Sequence, residues 1–113
     1  MDARLEKLKA LGCNTDQALE RFVGDEELYL TCLDEMLVDA QLDKLGEALE
    51  AGDCDNAFHY AHYLKGVYGN MGITQAYRDC AEMTEVLRRK DLGEQLLLTY
   101  RRVRELIEKI KAI

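Results

Sequence analysis

The stretch Ala61-His62-Tyr63-Leu64-Lys65-Gly66-Val67-Tyr68-Gly69-Asn70-Met71-Gly72 decides how the rest of the chain reads. At about 100° per residue on a helical wheel, Ala57, Tyr60, Ala61, Leu64, Val67, Tyr68 and Met71 share one side, whereas His62, Gly66 and Gly69 share the other. One face is built to pack, and the opposite face is stripped of side chains around a histidine. A glycine inside a helix costs roughly 1 kcal/mol relative to alanine. Such a loss is compensated either by close approach of another helix or by access of a partner to the imidazole. Because the glycines lie with the histidine and against the apolar face, partner access is the expected use.

Lys65 follows His62 by three residues and is therefore its neighbour on a helix surface. Imidazole is a competent nucleophile near neutral pH, and an ammonium one turn away offsets negative charge gained by the ring. A histidine, a flexible cation and an open approach together suit a covalent phosphoryl carrier. The structural alternatives are an ordinary surface histidine, a solvating lysine, and glycines that serve helix packing.

The stretch resembles the histidine-containing phosphotransfer (HPt) domains of multistep two-component signalling. The resemblance rests on Ala61, His62, Leu64, Lys65, Gly66, Gly69, Asn70, Met71 and Gly72. Val67 and Tyr68 depart from the small residues usual in the family, but both fall on the packing face. Phe22, the run Gly24-Asp25-Glu26-Glu27-Leu28-Tyr29 opening a helix, and Gly52-Asp53 ahead of the histidine helix extend the likeness from about Ala18 to Leu106. The resemblance implies that His62 accepts a phosphoryl group from a receiver-domain aspartyl phosphate and passes it to another receiver. Lys65 would compensate the phosphate charge, and Gly66 and Gly69 would admit the partner. The implied partners are response-regulator receiver domains and a hybrid histidine kinase. Mg²⁺ is expected in the receiver and no cofactor or metal in this chain. The rival reading is a helical adaptor that docks receivers without accepting phosphate.

The 113 residues suit a single domain with one core. With 48% hydrophobic and 33% charged residues the chain reads as globular. It has no proline, few β-branched residues and many Leu, Ala, Glu and Lys, a composition that favours an all-α bundle. A net charge of −7 opposes nucleic-acid binding. The clusters Arg88-Arg89-Lys90 and Arg101, Arg102, Arg104 read first as solvated helix ends and faces. Cys13, Cys32, Cys54 and Cys80 lack metal-ligand or C-x-x-C spacing. With no apolar signal region at Met1-Asp2-Ala3-Arg4, reduced thiols in the cytoplasm are the expectation. No apolar run approaches the roughly 18 residues of a membrane span, and the expected state is a monomer. There is no glycine-rich nucleotide loop, so neither ATP binding nor autophosphorylation is expected.

In chain order, a helix is expected over 2–11, stopped by Gly12. A second, capped by Asn14 with Gln17 three residues on, carries Ala18, Leu19 and Phe22. Gly24 is the expected C′ residue, and Asp25 the cap of one long helix to Gly52, bent in its middle, with Gly46 weakening its straightness. Asp53 caps the histidine helix, Cys54 to Met71, which Gly72 ends. Thr74 is expected to cap a helix to Arg89, and a last helix should run from Leu92 to Lys111. Short connections imply an antiparallel up-down-up-down four-helix bundle over about 25–111, with the short N-terminal helices across one end. His59 precedes His62 by three residues, but the sequence supplies no further metal ligands, so it is expected to border the docked partner. Tyr60 and Tyr68 should join the core and Tyr63 should lie at its edge.

Overall fold

The computed structural model describes residues 2–113 and is all-helical over them. Its helices are α1 (Ala3–Ala10), α2 (Thr15–Arg21), α3 (Glu26–Leu37), α4 (Gln41–Glu50), α5 (Cys54–Asn70), α6 (Thr74–Arg88) and α7 (Glu94–Lys111). Helix α5 packs on both α4 and α6, and α7 packs on α6 and reaches α4. The apolar stripes of these four converge on one core that includes Leu45, Leu64, Tyr68, Met83, Val103 and Ile107. Truncating a buried leucine such as Leu64 to alanine costs about 2–5 kcal/mol.

Side-chain caps start four of the helices as their residue types require, the first being α1, where the Asp2 carboxylate accepts from Arg4 N at 2.7 Å. The Asn14 carboxamide oxygen accepts from the Gln17 amide at 3.1 Å, and the Asp25 carboxylate accepts from Leu28 N at 3.0 Å. The Asp53 carboxylate accepts from Asn56 N at 3.2 Å and from the Asn56 side chain at 2.7 Å.

The single long helix expected over 25–52 is two helices, broken at Val38-Asp39-Ala40. Asp39 supplies the reason. Its carboxylate accepts from Gln41 N at 2.9 Å and from the Tyr63 hydroxyl at 2.9 Å, a local alternative to continuing the helical ladder. Gly46, expected to weaken the helix's straightness, instead admits the Tyr100 ring. A Cβ there would lie 2.7 Å from Tyr100 Cζ, and the Tyr100 hydroxyl donates to Leu42 O at 3.1 Å.

Four smaller expectations also change. Val23, with φ 54, takes the position after the C-cap of α2 that Gly24 was expected to hold. Ile73 rather than Thr74 precedes α6, and the Thr74 hydroxyl donates to Gly72 O at 3.4 Å. Helix α7 begins at Glu94 rather than Leu92, because the Asp91 carboxylate accepts from Gly93 N at 3.1 Å and holds a turn there. Finally, Arg102 and Arg104 are interhelical ties rather than merely solvated charges. Arg102 lies 3.1 Å from the buried carboxylate of Asp79 on α6, and Arg104 pairs with Asp43 on α4.

Candidate functional site

Helix α5 divides as its sequence divides. Ala57, Ala61, Leu64 and Tyr68 are buried, His62 and Gly66 are exposed, and Tyr60 and Val67 are partly buried beside the core. Burial raises the Tyr68 hydroxyl pKa well above its ordinary value, so the ring belongs to the core and stays neutral.

The imidazole of His62 lies parallel to the Phe58 ring, one turn earlier, with centroids 6.0 Å apart and planes 6° from coplanar. The Arg88 guanidinium, from α6, sits 5.3 Å from the Phe58 ring centroid. His62 is thus backed by an aromatic ring on its own helix that a second helix helps to hold.

Beyond His62, toward the C-terminal end of α5, lies an open depression of about 530 Å³. His62 and Lys65 form one side, and Arg21 of α2, Arg78 of α6, Gly69 and Tyr77 line the rest. Among the described residues no Asp or Glu lines it. Among the described residues neither Lys65, Arg21 nor Arg78 is paired with a carboxylate, whereas Arg4, Arg88, Arg102 and Arg104 each are. An acidic protein thus presents a basic hollow beside its exposed histidine.

The two glycines do different things there. A Cβ at Gly66 would meet nothing within 4 Å, so that position is open space next to His62 and Lys65. A Cβ at Gly69 would fall 2.9 Å from the Tyr77 ring, so this glycine admits a side chain from α6. The helix-packing alternative thus describes the environment of Gly69, although it also lines the depression.

The far end of α5 is fastened by the N-terminal segment. The buried Tyr29 hydroxyl donates to Met71 O at 2.7 Å, and Asn14 N donates to Gly72 O at 2.7 Å. Gly72 has φ +75, and a Cβ on it would run into the backbone carbonyl of Asn14 and approach Ala18 Cβ at 3.0 Å. Only a residue without a side chain fits both the left-handed turn and this contact. Arg21 reaches within 3.5 Å of the Gly69 and Asn70 carbonyls at the same helix end, where a cation is favoured.

Asn70 is exposed on the depression's rim. Tyr63 turns elsewhere: its hydroxyl donates to Asp39, and that bond, then burial and the carboxylate charge, raise its pKa. His59 is exposed and edge-on to Phe58. Among the described residues no three His, Cys, Asp or Glu side chains are grouped as metal ligands, and no helix is long and apolar enough to cross a membrane.

Sequence reading did not include Phe58, Arg78 or Arg21 in the site. Phe58 was within reach, since i and i+4 residues face one another on a helix. Arg21 gives no local signal, because its place depends on how α2 lies against α5, across more than forty residues. The family model for the Hpt domain matches residues 27–113. No curated protein and no solved structure matches the chain.

Proposed function

The chain belongs to the Hpt domain family, and from that premise we propose that it is a histidine phosphotransfer protein working between receiver domains. In this reading the unprotonated nitrogen of His62 attacks the phosphorus of a receiver's aspartyl phosphate in line. The N–P bond forms as the acyl O–P bond breaks, and the electron pair leaves on the aspartate carboxylate. The reverse step delivers the group to a second receiver. Positioning and charge stabilisation do most of the work in such transfers. The observation that carries the reading is the exposed imidazole of His62, with Lys65 and the open position at Gly66 on the rim of a carboxylate-free hollow.

Lys65, one turn on, offsets the charge of the adduct, and Gly66 leaves room for the partner. Gly69 contributes to access through the depression that it lines. Mg²⁺ belongs to the receiver, and this chain needs no cofactor of its own. The whole chain acts as one HPt domain in the cytoplasm, as a monomer, with a hybrid histidine kinase upstream. Its four longer packed segments form an up-down-up-down bundle, α3 and α4 together serving as the first. The short connections 51–53, 71–73 and 89–93 and the packing of α7 on both α6 and α4 support that arrangement.

The test is to mix the protein with a phosphorylated receiver domain from the same organism and to follow acid-labile label. Expected is label on the wild type and none on His62→Gln. Binding of receivers without labelling of the wild type would instead establish the adaptor.

A further inference from the structure

Three cations, Lys65, Arg21 and Arg78, line the depression beside His62. Lys65 is one turn away, close enough to reach a group on the imidazole. Arg21 lies against the carbonyls of Gly69 and Asn70, seven and eight residues after His62. At 1.5 Å rise per residue this is about 10–12 Å along the helix axis, so Arg21 stands farther along α5 from His62 than Lys65 does. Arg78 is exposed on α6, across the same hollow. Neither arginine has a carboxylate partner among the described residues, in a chain of net charge −7. Overall repulsion would oppose approach of an acidic surface, and two guanidinium groups without a carboxylate partner offset it locally, beside a hollow that no carboxylate lines among the described residues.

We infer that Arg21 and Arg78 are a docking pair, recognising carboxylates on the protein surface that surrounds the partner's aspartyl phosphate, while Lys65 alone serves the phosphoryl group. This rests on the proposed phosphotransfer reading and assigns a part of the partner surface to α2, which lies outside the matched residues 27–113. Charges of this kind act chiefly on the rate of encounter, and their effect shrinks as salt rises.

The experiment compares two phosphoryl donors, a phosphorylated receiver domain and the small molecule phosphoramidate, on the wild type and on a combined Arg21→Gln, Arg78→Gln variant. A melting curve establishes that the variant is folded. Expected is a roughly tenfold slower transfer from the receiver at low salt, a difference that largely closes near 0.5 M salt. Labelling by phosphoramidate and the lifetime of the phosphohistidine should be unchanged. An Arg21→Lys, Arg78→Lys variant should keep most of the receiver-driven rate, because charge rather than helix capping carries the effect. Transfer from the receiver at the wild-type rate would overturn the docking pair and leave the phosphotransfer reading intact. Slower phosphoramidate labelling or a shorter phosphohistidine lifetime would also overturn it, by putting the arginines on the phosphoryl group. A wild type that takes phosphate from neither donor would remove both readings.

Discussion

The two ends of α5's exposed strip are treated in opposite ways. At Gly66, beside the exposed His62, there is open space, and the Phe58 ring of the same helix backs the imidazole. From Gly69 to Gly72 the backbone is gripped by Tyr77, Arg21, Tyr29 and Asn14, coming from three other parts of the chain. In the proposed phosphotransfer reading, a nucleophile that a second protein must reach is left bare, and the helix carrying it is fixed a few turns away. Rigidity is thus supplied where it does not obstruct approach. Substitutions at the gripped end should change stability, and substitutions at the bare end should change transfer.

The largest effect on stability is expected at Gly72. Gly72→Ala places a side chain at positive φ and against the Asn14 carbonyl, and it should lower unfolding free energy by about 3 kcal/mol, read from urea denaturation. A fall of less than about 1 kcal/mol would mean that the N-terminal segment does not clamp this turn.

Next is Tyr29→Phe, which leaves the Met71 carbonyl without its buried donor and should cost about 1–2 kcal/mol. The same residue gives a pH signature. Burial, and then the nearby Cys13, push the Tyr29 hydroxyl up to about 12 from its ordinary 10.0. Because the folded value is raised, its contribution is fully present below pH 10 and is lost as pH rises through about 12. Chemical denaturation followed from pH 9 to pH 12 should therefore show a shallower fall in stability for Tyr29→Phe than for the wild type. Identical slopes would place the alkaline loss entirely on other groups, Tyr68 foremost.

The paired glycines give a smaller and more discriminating comparison. Gly66→Ala should stabilise the fold by about 1 kcal/mol, since it gains helix propensity and meets nothing. Gly69→Ala should fail to gain, or should lose about 1 kcal/mol, because the Tyr77 ring must give way. Adding Tyr77→Ala should restore the missing gain. Equal effects at 66 and 69 would erase the distinction between bare and gripped ends.

Lys65→Gln should be silent in stability, within about 0.5 kcal/mol, yet slow labelling from a phosphorylated receiver about tenfold, equivalent to 1.4 kcal/mol in the barrier. Labelling at the wild-type rate would remove Lys65 from the chemistry.

Much of this comparison was legible in the sequence. The caps at Asn14, Asp25 and Asp53, the stop at Gly72 and the two faces of α5 follow from local rules, and the structure reproduces them. The break at residues 38–40 was not legible. Leu33, Leu37, Ala40, Leu45 and Leu49 keep an apolar periodicity through it, and the interruption comes from the bonds that Asp39 makes to Gln41 and to distant Tyr63. Gly46 is similar, since its partner Tyr100 lies on α7. The wheel correctly put Gly66 and Gly69 on one face but could not show which of them faces a neighbour. That depends on the placement of α6, as the role of Arg21 depends on the placement of α2.

The claim at the centre is that the bare strip beside His62 is the path by which a phosphoryl donor arrives. The most direct measurement is the rate at which a phosphorylated receiver labels Gly66→Leu, taken together with its melting temperature. Leucine is the better helix former by roughly 1 kcal/mol, so the melting point should hold or rise by several degrees, while labelling falls more than tenfold. A variant that is folded, at least as stable, and labelled at the wild-type rate would contradict the claim.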